Sequence, residues 1–86
     1  MVDTVERVCE IIADVTLNPV REITERSTTK TVDGWDEAAH VSIMAAIEMD
    51  FGASFSDDET PTLDSVRKIV EALRLQSVSP DRARIA

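Results

Sequence analysis

The sequence predicts an all-α fold, a small four-helix bundle made of three longer helices and one short helix. Apolar residues recur at spacings of three and four in three segments of the chain. Only three of the 86 residues are aromatic, so the core has to be built mainly from aliphatic side chains, which suits helices better than a sandwich or barrel. We expect one domain over residues 1–76, followed by a disordered tail over residues 77–86.

The first helix is predicted over residues 3–17. Its apolar positions follow helical spacing and are Val5, Val8, Cys9, Ile11, Ile12 and Val15. Asn18 ends the helix, because the residue before Pro19 is pushed out of the α region. Cys9 is expected in the core, and a lone cysteine excludes both an internal disulfide and a thiolate zinc site.

A long connection follows over residues 20–35. Val20 and Ile23 are spaced to enter the core, on a short helical turn, and the Ser/Thr-rich residues 27–31 are expected at the surface. Trp35 is expected to anchor this loop onto the second helix. The connection is therefore predicted to be tied to the core at a few apolar points.

The second helix is the most clearly specified element of the sequence. Asp36 is a good N-cap after Asp33-Gly34, and Gly52 is a natural helix end. Between them Ile43, Ile47 and Phe51 repeat every four residues, which predicts a buried stripe.

Two further helices are predicted after Gly52. Ser56 and Glu59 have the spacing of a capping box, and Pro61 limits that helix to about one turn. Thr62 is then expected to cap the last helix. The apolar stripe of that helix comprises Leu63, Val66, Ile69, Val70 and Leu73.

The charge of the chain is strongly negative, at −8. No Lys or Arg occurs between Lys30 and Arg67, whereas that window holds nine acidic residues: Asp33, Asp36, Glu37, Glu48, Asp50, Asp57, Asp58, Glu59 and Asp64. Such a surface repels nucleic acid and attracts basic patches on proteins, although a solvated acidic face is the simpler interpretation. The charged N-terminus and the lack of a run of roughly 20 apolar residues predict a cytoplasmic protein without membrane insertion. We expect a monomer.

The stretches "VDGWDEAAHVSIMAAIEMDFGASFSDDE" and "LDSVRKIVEAL" resemble an acyl carrier protein, and the match covers nearly the whole chain. Members of this family typically show D-x-W-D-S-L-x-H-V, then an apolar helix ending in E-x-x-F-G. The resemblance implies a four-helix bundle that carries acyl groups on 4′-phosphopantetheine, attached to a serine at the start of helix two. It also implies work in fatty-acid, polyketide or lipid biosynthesis. The implied partners have basic docking patches: phosphopantetheinyl transferase, acyl-activating ligases, acyltransferases or synthases.

The chain departs from the family at the attachment point. Alignment places Glu37 on the serine and Ala38 on the leucine that follows it. A carboxylate cannot form the stable phosphate ester that attachment of the arm requires, so 4′-phosphopantetheine is expected to be absent. Ser42 does not rescue the site, because it lies inside the predicted helix. Asp36 would help the modifying enzyme to arrange its metal, or serves only as an N-cap.

The resemblance also suggests a docking face on helix two. Glu48 matches an acidic position that meets basic patches on partners, and Ala38, Val41 and Ala45 would lie beside Glu37 on that face. Each is also an ordinary residue for an exposed helix surface. His40 has neither a nucleophile nor an orienting acid in a supported geometry, so we expect no catalysis and no metal site.

Several explanations of Glu37 stay open on the sequence. The chain is a natural carrier homologue that lost the arm and works by docking alone, or a non-acylated regulatory module. Two further explanations are a working carrier in which "SL" was changed to "EA" in the laboratory, and a protein with a nonstandard attachment point. All share the fold and the docking face, and none is an independent enzyme.

Overall fold

A computed structural model describes residues 3–77 and shows a small all-helical domain. Its α-helices are α1 (Thr4–Thr16), α2 (Glu37–Phe51) and α3 (Val66–Leu75). Two 3₁₀ turns complete the architecture, one at Val20–Glu22 and one at Thr60–Thr62. The all-α class is therefore confirmed. The position predicted for the short fourth helix holds the second 3₁₀ turn, which has three residues.

The ends of α1 and α2 agree with the predictions. Asp36 accepts a hydrogen bond from the Ala39 N–H at 2.8 Å and so satisfies one of the unpaired donors at the start of α2. Gly52 ends that helix in the left-handed conformation, with φ of 68°. At the end of α1, Leu17 has the same conformation with φ of 61°, where a glycine or asparagine is usual.

The core lies where α1 packs against both α2 and α3. Its largest fully buried side chains are Phe51, Ile12, Ile43, Ile47, Ile69, Leu73, Val8 and Val66. Cys9 and Trp35 are buried as predicted. The three apolar stripes therefore meet in one cluster, the arrangement that helical spacing implies.

The predicted start of the last helix is wrong. Ser65, not Thr62, is the N-cap, and its hydroxyl accepts a hydrogen bond from the Lys68 N–H at 3.2 Å. The preceding residues pair instead with the long connection: the Thr29 N–H donates to the Asp64 carbonyl at 3.0 Å. A second bond runs from the Val66 N–H to the Ser27 carbonyl, also at 3.0 Å. This short bridge keeps residues 63–65 out of the helix, although Leu63 is buried as expected.

Two other expectations in the loops need correction. Val20 lies on a 3₁₀ turn but is 51% exposed, so of the two predicted anchors Ile23 alone enters the core, joined from the same connection by Val32. Ser27, expected at the surface, is buried, and its hydroxyl accepts a hydrogen bond from the Thr24 N–H at 2.9 Å.

The capping box predicted after α2 is half formed. Ser56 accepts a hydrogen bond from the Glu59 N–H at 3.2 Å, but a 3₁₀ turn follows instead of an α-helix. Of the tail predicted over residues 77–86, all but Ser77 lies outside the described residues.

One ion pair joins α1 to α2. The Arg7 guanidinium donates to both carboxylate oxygens of Asp50, each at 2.9 Å, and also to Glu10 at 3.0 Å. The bidentate bond to Asp50 is the main reason that the pKa of Arg7 is raised above its usual value. The pair fixes the end of α2 against the first turns of α1.

Candidate functional site

Helix α2 carries apolar side chains on two faces. One face is buried in the core through Ile43 and Ile47. The opposite face exposes Val41 (63%), Ala45 and Met49 (82%), which follow one another at intervals of four residues. Intervals of four keep side chains on one face of a helix, so these residues form a continuous exposed stripe. This stripe is the first component of the candidate site.

A groove of about 340 Å³ lies beside the stripe, between α2 and the chain that leads to α3. The wall formed by α2 consists of Val41, Met44, Ala45 and Glu48, and the other wall of Phe55, Asp57, Thr60 and Pro61. Three of the predicted docking residues, Val41, Ala45 and Glu48, therefore come together at this groove. Ala38 is exposed on the first turn of α2 but does not line it.

Glu48 has a structural contact that the sequence did not reveal. Its carboxylate accepts a hydrogen bond from the Phe55 N–H at 2.9 Å. The Glu48 carbonyl also accepts from Gly52 and from Ala53, the latter at 3.1 Å. Glu48 thus holds the turn after α2 in place and lies only partly exposed at the edge of the groove.

The first turn of α2 presents Asp36, Glu37 and Ala38 to solvent. Asp36 acts as the N-cap, so one of its carboxylate oxygens is already bonded to the helix backbone. Glu37 is the first residue of the helix, where the dipole favours a negative charge. The remaining N–H groups here would suit a phosphate, but two carboxylates already occupy the turn.

These residues do not fit an attached phosphopantetheine arm. Glu37, the residue that the resemblance places on the attachment serine, is a carboxylate, which would give a labile acyl phosphate and not a stable ester. Neither Ala38 nor Ala39, which follow it, has a hydroxyl. Ser42 is exposed on α2, but it lies past the first turn and away from the free N–H groups. The start of α2 therefore presents exposed carboxylates and small apolar side chains, and no hydroxyl group in its first turn.

His40 connects three parts of the structure. Its Nδ1 accepts a hydrogen bond from the Trp35 indole N–H at 2.9 Å, and its Nε2 lies 2.9 Å from the Thr60 carbonyl oxygen. Because the indole can only donate, the neutral ring must carry its proton on Nε2 and donate it to Thr60. The two rings also stack, with centroids 5.9 Å apart. His40 therefore fixes the loop before α2 and the second 3₁₀ turn, and both ring nitrogens are engaged.

The nine acidic residues of the window differ in their surroundings. Asp50 faces α1 and bonds to Arg7, so it does not belong to the exposed acidic surface. Asp64 lies 3.0 Å from the Lys68 ammonium, and this hydrogen bond lowers the pKa of the Asp64 carboxyl. The lack of Lys and Arg in the window therefore does not leave all nine acids without a basic partner, as an unopposed acidic surface would require. Within residues 3–77, the other seven make no ion pair. Glu48 and Asp57 line the groove, and Asp36 and Glu37 lie at the start of α2, ahead of the stripe.

Sequence reasoning missed part of this site. Met49 continues the 41–45 spacing by another four residues, so a search for a second apolar stripe in α2 would have found it. Phe55, Thr60 and Pro61 have no such signal, because they approach α2 only through the fold of the loop.

The described part of the chain contains no group of His, Cys, Asp and Glu side chains that could hold a metal ion. Within residues 3–77 there is also no helix of the length and hydrophobicity required to cross a membrane. A comparison of the chain with protein-family models and with curated proteins found no match.

Proposed function

We propose that this chain is a carrier-protein homologue without the phosphopantetheine arm, which docks onto acyl- or aminoacyl-transferring enzymes through α2. The full four-helix arrangement of carrier proteins, with the second 3₁₀ turn in place of the short helix, belongs to the same proposal. The observation that carries it is the juxtaposition on α2 of a first-turn carboxylate, Glu37, with the exposed stripe of Val41, Ala45 and Met49.

The surface has the composition expected of a protein-docking site. Exposed apolar side chains at its centre supply area to bury, and the acidic rim speeds and orients the approach of a basic partner. Asp36, Glu37 and Asp57 supply that rim on the described residues. The window between Lys30 and Arg67 contains no Lys or Arg, and no Lys or Arg lines the groove beside α2.

Attachment chemistry is tested by an intact mass spectrum after incubation with coenzyme A, magnesium and a broad-specificity phosphopantetheinyl transferase. The chain is compared with a Glu37→Ser, Ala38→Leu variant. We expect only the variant to gain the mass of the arm. A gain by the unaltered chain would show another hydroxyl as the attachment point, which peptide mapping would locate, and would refute the loss of the arm.

Docking is tested by measuring binding of the same transferase to the unmodified chain at low salt. Val41→Ser should weaken binding several-fold, because about one apolar side chain is removed from the contact. A second pair of variants tests the charge. Glu48→Gln neutralises a glutamate that lines the groove, and Glu71→Gln on α3, outside the groove, is its matched control. Equal effects of the two glutamine variants would contradict a localised docking face.

A further inference from the structure

We propose that the corner between α1 and the first 3₁₀ turn is a second docking surface. The partner we assign to it is a basic protein segment that places an apolar side chain between Lys or Arg residues. Two exposed apolar side chains mark this corner: Leu17 is 89% exposed and Val20 is 51% exposed. They lie on two adjoining grooves, of about 390 and 330 Å³, and Val20 lines both.

Leu17 occupies its position at a conformational cost. Its φ of 61° places it in the left-handed region, which is unfavourable for a residue with a Cβ and which Gly or Asn adopts more easily. The Leu17 side chain does not contribute to the core, since it is almost fully exposed. A partner that covers Leu17 accounts for both observations.

The corner is held rigidly. The Asn18 side chain donates to the Thr16 hydroxyl and to the Asp33 carbonyl, both at 2.8 Å, and the Asn18 N–H donates to the Ala13 carbonyl at 3.0 Å. These bonds tie the end of α1 to the loop before α2. The backbone at Leu17 is therefore held in place, and a partner would not have to order it on binding.

The rim of the two grooves selects the sign of the partner's charge. Their lining includes four carboxylates, Glu6, Glu10, Asp14 and Glu25, and neither Lys nor Arg. Glu10 bonds to Arg7, whereas the other three make no ion pair within residues 3–77. Cys9 lies in the lining of the second groove. The pKa of its thiol is raised to about 11, mainly by burial and further by the negative charges of Asp3, Glu25 and Glu10.

This charge distribution excludes two other occupants. A second copy of the chain carries the same net charge of −8 and would bring carboxylates against carboxylates. An anionic lipid surface is repelled in the same way. A cationic segment with an apolar side chain would pair its charges with the carboxylates of the rim and cover the exposed Leu17 side chain.

The corner is separate from the α2 surface. No residue lines both this pair of grooves and the groove beside α2. The inference therefore does not depend on the proposed function, and either can fail alone.

The test is an NMR titration of the full chain, labelled with nitrogen-15, with a synthetic amphipathic peptide of Leu and Lys about 18 residues long, or five helical turns. A Leu and Glu peptide of the same length is the charge control. We expect the Leu/Lys peptide to shift amide signals of residues 5–25, and the Leu/Glu peptide to leave them unchanged. Shifts confined to residues 37–61, equal binding of both peptides, or no binding would each overturn the proposal.

Variants separate the apolar contact from general attraction to an acidic protein. Leu17→Asn, Val20→Ser keeps a residue that tolerates the left-handed conformation and removes both apolar side chains, so affinity should fall about tenfold or more. Leu75→Ser removes an exposed apolar side chain from α3, outside both surfaces, and should leave the affinity unchanged. Circular dichroism confirms that each variant is folded. Unchanged affinity of the Leu17→Asn, Val20→Ser variant would show that charge alone drives the association and would overturn the proposal.

Discussion

Glu48 is the residue at which docking and folding are most closely joined. Its carboxylate accepts the Phe55 N–H at 2.9 Å, and it also lines the groove beside α2. A charge reversal at this position would therefore change two properties at once. Glu48→Gln and Glu48→Ala separate them, because the glutamine keeps a neutral acceptor near the Phe55 N–H and the alanine removes it.

The expected magnitudes follow from this contact. Phe55 is buried, so loss of the acceptor leaves its N–H poorly solvated, and such groups cost about 1–3 kcal/mol. Glu48 is itself only partly buried, which places the expected loss for Glu48→Ala in the lower part of that range, at about 1–2 kcal/mol. Glu48→Gln should lose less than about 1 kcal/mol, because a neutral bond replaces a charge-assisted one.

Urea denaturation followed by circular dichroism measures both losses, and hydrogen exchange reports the Phe55 amide directly. Exchange at Phe55 should be faster in Glu48→Ala than in Glu48→Gln. If the alanine variant were as stable as the original chain, within about 0.5 kcal/mol, the bond would contribute nothing and the structural role of Glu48 would be refuted. If both variants lost the same stability, the charge and not the hydrogen bond would be responsible.

Three other predictions concern the core and the helix contacts. Ile47→Ala should lower the free energy of unfolding by about 2–5 kcal/mol, because Ile47 is fully buried; a loss within experimental error would contradict that burial. Asp50→Asn should cost about 1–3 kcal/mol, since it leaves the Arg7 guanidinium with a weaker partner, and an unchanged urea midpoint would refute this. The raised pKa of Cys9, about 11, means that the folded state disfavours the thiolate, so stability is complete below about pH 9 and falls by up to about 2–3 kcal/mol as pH approaches 11. Cys9→Ala should abolish that part of the pH dependence, and a parallel decline in both proteins would show that Cys9 is not its source.

The start of α2 shows why some elements could be predicted from sequence. Asp36, the spacing of Ile43 and Ile47, and Gly52 act within a few residues of one another, and caps and apolar periodicity are local properties of the chain. The predicted bounds of α1 and the core position of Cys9 rest on signals of the same kind. The place of Glu37 in the first turn of α2 was equally visible, because it follows directly from the Asp36 cap.

The start of α3 shows the opposite case. Thr62 and Ser65 are both acceptable N-caps by residue type. The choice is made by two hydrogen bonds to residues more than thirty positions earlier, one from the Val66 N–H to the Ser27 carbonyl and one from the Thr29 N–H to the Asp64 carbonyl. Local propensity has no access to such contacts.

The candidate site depends on both kinds of information. The residues of α2 and the excess of negative charge follow from the sequence, because helical spacing and composition specify them. The sequence does not show which carboxylates remain at the surface. Asp50 pairs with Arg7, 43 positions away, and Glu48 bonds to a loop whose path no periodicity predicts. The groove and the exposed corner at Leu17 likewise arise only when separate segments pack together. Helix identity is a short-range property, whereas surface shape and charge pairing depend on long-range packing.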